Sequence, residues 1–146
     1  MSRYVSKELR DLVSKRARGV CEYCLITVED SFFAFHIEHI ISIKHGGETS
    51  SDNLAYSCAV CNREKGSDLG TFLDNRLELI RFYNPRFDKW SEHFKLEGSL
   101  IVPITKIGEA TIKIFKLNSE HRLLERGLLI DLGAYPSKNA QLLITE

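Results

Sequence analysis

The sequence predicts an α+β fold, in which an N-terminal helix precedes a small unit of two strands and a helix, and a β-hairpin and a last helix follow. Three observations support this prediction. Residues 5–18 place apolar side chains at helical spacing. Residues 32–43, FFAFHIEHIISI, are rich in aromatic and β-branched residues, which favours a strand. Two C-x-x-C pairs flank this strand and the shorter strand-like run that follows it.

Length and charge narrow the class of protein. A chain of 146 residues suits one domain, which we expect to span residues 1–146. No apolar run approaches the roughly 20 residues of a membrane-spanning helix. The first residues lack the apolar stretch of a signal peptide, so we expect a cytoplasmic protein without a membrane partner.

The formal net charge of zero argues against a nonspecific nucleic-acid coat, but the N-terminal helix is locally basic. A basic patch on a neutral protein is compatible with a phosphate-bearing partner. These side chains form either a solvated helix surface or a stripe that faces DNA. The basic residues on the polar face of this helix are Arg3, Lys7, Arg10 and Arg18.

The cysteines predict a structural zinc site. Without a secretory signal a disulfide framework is not expected, and a redox C-x-x-C would occur once, after a strand of a βαβ unit. Two C-x-x-C pairs separated by 33 residues instead fit a tetrahedral four-cysteine site. The predicted ligands are Cys21, Cys24, Cys58 and Cys61.

The segment between and just after the cysteine pairs predicts strand, loop, strand and helix. The loop of residues 45–53, HGGETSSDN, would return the chain so that residues 54–59 pair antiparallel with residues 32–43. The helix begins at the second cysteine pair, within residues 60–70. A zinc ion held by both pairs would close this small unit, which has little core of its own.

The remaining chain predicts three further elements. Residues 71–83 are apolar at helical spacing and favour a helix. Residues 99–106 and 110–117 resemble two strands of a β-hairpin. A last helix is expected over residues 119–132, ended by Gly133 and Pro136.

Four side chains within the strand–loop–strand–helix unit suit metal-assisted phosphodiester hydrolysis. The Glu38 carboxylate and the Asn62 amide oxygen are hard ligands that suit Mg²⁺ or Mn²⁺. His39 could take a proton from an attacking water, since imidazole titrates near neutrality. Asn53 cannot act as an acid or a base, but its amide can hold the loop so that His39 is oriented.

These residues also carry a resemblance. The run FHIEHIISIKHGGETSSDNLAYSCAVCNREKG resembles the HNH endonucleases, with their ββα-metal (His-Me finger) fold and flanking CxxC zinc pairs. The resemblance covers residues 21–66 and implies His39 as general base, Glu38 and Asn62 as metal ligands, and Asn53 as the orienting residue. An Asn in the motif's third place is similar to the magnesium-using branch of the family.

The resemblance extends into residues of about 84–146, which look like the C-terminal extension of stand-alone bacterial HNH proteins, many of them cyanobacterial. Two departures stand out. Ser42 replaces a proline found in many relatives, and residues 71–83 replace a turn-like segment. The second departure leaves the secondary structure of residues 71–83 open between a helix and a turn.

Four other polar residues are candidates for nucleic-acid contact. His36 lies on the same strand face as Glu38, and either contacts phosphate or metal or is a structural histidine. His45 lies in the loop, and either reaches DNA or is solvated. Arg63 and Lys65 follow Asn62, where cations favour an anion; each contacts phosphate or is simple surface charge.

The sequence therefore predicts a metal-dependent HNH endonuclease that hydrolyses DNA, double-stranded or branched, with structural zinc and catalytic Mg²⁺ or Mn²⁺. Two alternatives remain open at this point. One is a noncatalytic zinc module that binds nucleic acid or protein, because a fold does not fix its function. The other is a nuclease that cleaves RNA. Both a monomer and a homodimer are compatible with the sequence.

Overall fold

A computed structural model describes residues 3–145; residues 1, 2 and 146 of the predicted domain lie outside the described part. Helices and strands are both present, which confirms the α+β prediction. The elements are α1 (Lys7–Arg16), β1 (His36–His39), β2 (Leu54–Ser57), α2 (Ala59–Lys65), β3 (Gly70–Phe72), β4 (Leu79–Arg81), α3 (Trp90–His93), β5 (Phe94–Glu97), β6 (Leu100–Pro103), α4 (Lys106–Phe115), α5 (Glu120–Asp131) and α6 (Lys138–Thr145).

The unit formed by β1, β2 and α2 has the predicted order but shorter strands. β1 and β2 pair antiparallel, with Glu38 opposite Ala55 and His39 opposite Leu54. Helix α2 begins directly after Cys58, whose Sγ accepts a hydrogen bond from the backbone N–H of Cys61. This capping contact lets the cysteine pair start the helix and contribute to the metal centre at once.

Helix α1 matches the prediction at the N-terminal end. The Ser6 side chain caps it by accepting a hydrogen bond from the N–H of Leu9. Val13 and Ala17 are fully buried beneath it. On its other side the Arg16 guanidinium donates to the carbonyl oxygens of Ser51 and Leu54, at 2.7 and 2.6 Å. Helix α1 is therefore tied to the start of β2.

The predicted strand at residues 110–117 is wrong, because this segment belongs to helix α4. The hairpin is formed instead by β5 and β6, paired from Phe94–Pro103 to Glu97–Leu100. Thr105 caps α4, and Ala110, Thr111 and Phe115 are fully buried on one face of it. The β-branched residues of the segment favour a strand locally, but burial of this helical face outweighs that weak preference.

Residues 71–83, left open between a helix and a turn, do not form a helix. The segment forms the antiparallel pair β3–β4, with Thr71 opposite Ile80. Its apolar side chains do not form a buried helical stripe, since Leu77 is 95% exposed and Leu79 is 62% exposed. The helix predicted over residues 119–132 is confirmed as α5, and Gly133 with φ +72° follows its end. Helix α6 was not predicted.

The buried core joins the ββα unit to the C-terminal extension. Its apolar cluster runs from Val20 through the four cysteines to Phe94, Phe115 and Ala140. The Trp90 indole N–H donates to the carbonyl oxygen of Tyr23, within the first cysteine pair, at 2.9 Å. No helix in the described residues is long and apolar enough to span a membrane.

Candidate active site and metal centre

The four cysteines form a buried cluster at one end of the ββα unit. Their Sγ atoms all lie within 4.8 Å of one another, and those of Cys24 and Cys58 are 3.7 Å apart. Zinc–sulfur bonds of about 2.3 Å place the sulfur atoms of a tetrahedral site about 3.8 Å apart. The cluster therefore fits a structural zinc ion.

Arg122 of helix α5 lies against this cluster. Its guanidinium donates to the Sγ atoms of Cys58 and Cys61, each at 3.8 Å, and its Nε lies 3.2 Å from the Glu125 carboxylate. Burial alone would lower the pKa of Arg122, but the neighbouring thiolates raise it above its usual value. Arg122 thus supplies a positive charge to the side of the cluster that faces the C-terminal extension.

A cleft of about 450 Å³ opens beside β1, and three of the predicted site residues line it. Glu38 and His39 reach it from β1, and Asn62 reaches it from the first turn of α2. We refer to it as the β1 cleft. The structure thus brings together a carboxylate, an imidazole and an amide that lie up to 24 positions apart in sequence.

Glu38 is buried and lines the β1 cleft. Its Oε1 lies 3.0 Å from the Lys65 ammonium and accepts a hydrogen bond from the Tyr23 hydroxyl at 3.3 Å. Burial raises the pKa of Glu38 to about 7, although the charge of Lys65 opposes that shift. Its Oε2 is buried and accepts no hydrogen bond from the described residues.

His39 is half-buried and lies with its Nε2 2.8 Å from the hydroxyl oxygen of Thr49. Burial lowers the pKa of His39, and the positive charges of Arg3 and Lys65 lower it further. A lowered pKa keeps the ring neutral near pH 7, which a general base requires. The contact through Nε2 leaves Nδ1 as the other ring nitrogen that can accept a proton.

Asn53 holds the loop that connects β1 to β2. Its Nδ2 donates to the carbonyl oxygens of Ile41 and Glu48, both at 2.8 Å, and its Oδ1 accepts from the N–H of Ile41 at 2.9 Å. The loop passes so close to β1 that a Cβ on Gly47 would overlap the Ile41 carbonyl and the Asn53 amide. Only glycine fits there.

The four residues predicted to contact nucleic acid lie in different surroundings. Lys65 is not at the surface but buried, and it also donates to the carbonyl oxygen of His39 at 3.4 Å. Arg63 is exposed and pairs with Glu64. His36 lines a second cleft described below, whereas His45 is exposed and, in the described part of the chain, lines neither cleft.

Sequence reasoning missed several contacts at this site. Thr49 had no assigned role, although it lies two residues after the glycine pair that brings the loop back to His39. Tyr23 lies inside the first C-x-x-C pair, and its hydroxyl reaches Glu38. Arg3 was placed on the outer face of the first helix, but it lines the β1 cleft together with Lys44. Only the folded chain shows these proximities.

The donor set of the β1 cleft fits a hard divalent cation. Oε2 of Glu38 is buried and has no hydrogen-bond partner among the described residues, and the Asn62 amide lines the same cleft. The Ser42 hydroxyl, buried and also without a hydrogen-bond partner in residues 3–145, lines it too. Carboxylate, amide and hydroxyl oxygens are the ligands that Mg²⁺ and Mn²⁺ prefer.

Comparison with known proteins gives one match, to the ββα unit. Residues 21–68 match the family model described as HNH endonuclease. No curated protein and no solved structure gives a significant match to the chain. The matched residues contain the four cysteines, Glu38, His39, Asn53 and Asn62. Residues 21–68 of this chain are therefore similar to an HNH endonuclease domain, as the resemblance in the sequence had implied.

Proposed function

We propose that the protein is a metal-dependent endonuclease that hydrolyses phosphodiester bonds of DNA in the β1 cleft. HNH domains generally act on nucleic acids, which supports the substrate class. The observation that carries the proposal is the meeting of Glu38, His39 and Asn62 in one cleft, with an unpartnered carboxylate oxygen beside an imidazole of lowered pKa.

In the proposed reaction His39 acts as the general base. Its neutral ring donates the Nε2 hydrogen to Thr49, which fixes the ring and leaves Nδ1 as the proton acceptor. Nδ1 takes one proton from a water whose oxygen attacks the phosphorus. The bond from phosphorus to the 3′ oxygen breaks, and that oxygen takes up a proton from solvent. The products are a 5′-phosphate and a 3′-hydroxyl.

Glu38 and Asn62 would hold the divalent cation, with Ser42 beside them. A bound Mg²⁺ or Mn²⁺ supplies stabilisation of the negative charge on the phosphate and the leaving oxygen. Lys65 and Tyr23 both engage Oε1 of Glu38, and so keep the carboxylate in one orientation. We therefore assign Lys65 to positioning Glu38 rather than to phosphate contact.

The test is cleavage of supercoiled plasmid and of labelled DNA and RNA oligonucleotides by zinc-loaded protein, with Mg²⁺, Mn²⁺ or EDTA. We expect cleavage of DNA with either metal and none with EDTA. Asn62→Ala should raise the Mg²⁺ concentration needed for half-maximal rate, because it removes one of the proposed ligands. Absence of cleavage of every substrate would favour the noncatalytic binding module, and cleavage of RNA alone would favour the RNA nuclease.

A further inference from the structure

A second cleft adjoins the β1 cleft on the N-terminal side. It has a volume of about 420 Å³, and we refer to it as the α1 cleft. Arg3, Val5 and Ile37 line both clefts, so the two are continuous. The α1 cleft is further lined by Tyr4, Arg10, Phe35 and His36.

The charge of this surface is one-sided. Arg3 and Arg10 are exposed, and neither makes an ion pair with a described residue. Lys44 adds a third exposed cation at the β1 cleft. Glu38, already paired with Lys65, is the only acidic residue among the described residues that line either cleft. A groove of this kind attracts a phosphate backbone.

Exposed aromatic rings accompany the cations. Tyr4 lines the α1 cleft and is 70% exposed. Phe32 and Phe33, which precede His36 by four and three residues, are 96% and 66% exposed; they lie outside the lining of the cleft, and their rings pack edge-to-face on each other. Cations along a groove with accessible aromatic rings are the features that bind single-stranded nucleic acid, by phosphate contact and base stacking.

We propose that the α1 cleft binds an unpaired polynucleotide strand that continues from the scissile phosphate in the β1 cleft. Arg3 and Arg10 contact its phosphates, and Tyr4 stacks on a base. The position of the scissile phosphate rests on the proposed function, but binding in the α1 cleft does not require cleavage. A substrate with a single-stranded segment, such as a branch or a flap, follows from this assignment.

The experiment measures binding of a fluorescent single-stranded 12-nucleotide DNA, the same RNA and a matched duplex, by anisotropy at several salt concentrations. Zinc-loaded full-length protein is used without added divalent ions, so that cleavage does not interfere. The variants are Arg3→Ala, Arg10→Ala, Tyr4→Ala and Tyr4→Phe. Lys7→Ala is the matched control, since it removes one charge from an exposed side chain of α1, the helix that also carries Arg10, outside both clefts.

We expect the single strand to bind more tightly than the duplex. Arg3→Ala and Arg10→Ala should each weaken binding roughly ten- to hundredfold, as expected for a lost hydrogen bond between charged groups. Each should also reduce the salt slope by about 0.7. Tyr4→Ala should weaken binding with an unchanged slope, and Tyr4→Phe should restore it, because stacking requires the ring alone.

The proposal is overturned if both arginine variants bind like Lys7→Ala, or if the duplex binds as tightly as the single strand. If wild-type protein cleaves DNA but either of these results is found, the proposed nuclease function stands and only the strand binding in the α1 cleft is refuted. Conversely, if binding depends on Arg3 and Arg10 but the protein cleaves no substrate, the strand binding in the α1 cleft is supported and the proposed nuclease function is refuted. Comparison of the DNA and RNA strands distinguishes the two possible sources of the strand.

Discussion

At the scale of single residues, the site depends on side chains that hold other side chains in place. Thr49 contacts the His39 ring, Lys65 contacts Glu38, and Asn53 bonds three backbone groups of the loop. None of these three holding residues takes part in the proposed reaction itself. Substitutions at these positions are therefore expected to change the cleavage rate through the geometry of the site and the stability of the fold.

Asn53→Ala tests the role of the loop. The variant loses three hydrogen bonds, each contributing about 0.5–1.5 kcal/mol, so the free energy of unfolding should fall by roughly 1.5–4.5 kcal/mol. The cleavage rate should fall at least about tenfold under conditions where the variant is folded, since His39 loses its support. Denaturant unfolding and initial cleavage rates measure the two effects. Asp52→Ala, at the exposed neighbouring position, is the control, and equal behaviour of the two variants would contradict the assignment.

Lys65→Met distinguishes a positioning lysine from a phosphate contact. It leaves Glu38 buried without its cation, and breaking a buried pair costs about 3 kcal/mol or more. Arg63→Met, at the exposed position two residues earlier, should change the unfolding free energy by no more than about 0.5 kcal/mol. Equal stability of both variants in denaturant titrations, with nucleic-acid binding lost only in Lys65→Met, would return Lys65 to phosphate contact.

At the level of elements, helix α4 joins the β3–β4 and β5–β6 hairpins to the core. Thr111 lies on its buried face, where its hydroxyl donates to the carbonyl oxygen of Ile107 and accepts from the N–H of Tyr83. Gly108 lies where α4 passes the carbonyl oxygen of His93, and a Cβ there would overlap that oxygen. The close approach of α4 to the start of β5 therefore requires glycine.

Two glycine substitutions with opposite expected effects test this packing. Gly108→Ala should lower the free energy of unfolding by about 1–3 kcal/mol, because overpacking against backbone outweighs the better helix propensity of alanine. Gly127→Ala, in α5, meets nothing within 4 Å and should raise it by about 0.5–1 kcal/mol. Thermal unfolding of both variants measures the sign. A stabilised Gly108→Ala protein would contradict the packing described for α4.

How far the sequence predicts the structure differs between these elements. The ββα unit was predictable because its side chains carry chemistry at fixed spacing: two cysteine pairs, Glu38 before His39, and a glycine pair before Asn53. Residues 110–117 were not, because their isoleucines and threonine favour a strand locally, and only contacts distant in sequence bury the helical face. For the same reason the sequence did not predict that Arg3 and His39 line the same cleft.

At the scale of the whole molecule, the cysteine cluster lies within the shared core rather than beside it. Arg122 of α5 contacts two of the sulfur atoms, and the Tyr135 hydroxyl donates to the carbonyl oxygen of Cys24 at 2.8 Å. Zinc bound at this cluster would stabilise the extension as well as the ββα unit. Structural zinc contributes on the order of 10 kcal/mol to small domains of this kind.

Cys58→Ser should therefore lose zinc and unfold throughout, not only near the cluster. The single tryptophan, Trp90, reports on this because its indole bonds Tyr23 between the first two cysteines while it packs on Phe94 of β5. We expect zinc content near zero, loss of the near-ultraviolet signal of Trp90 and a lowered melting temperature. A zinc-free variant with an unchanged melting temperature would show that the cluster has no structural role.

The proposed function depends above all on His39, which we propose activates water for phosphodiester hydrolysis in the β1 cleft. The most direct measurement compares the metal-dependent cleavage rates of wild-type protein, His39→Ala and His45→Ala on the same DNA with Mg²⁺. We predict a loss of at least about 10²- to 10⁴-fold for His39→Ala, the usual contribution of a general base. His45→Ala, at an exposed position, should keep the parental rate. Cleavage by folded His39→Ala protein at the parental rate would show that His39 is not the general base.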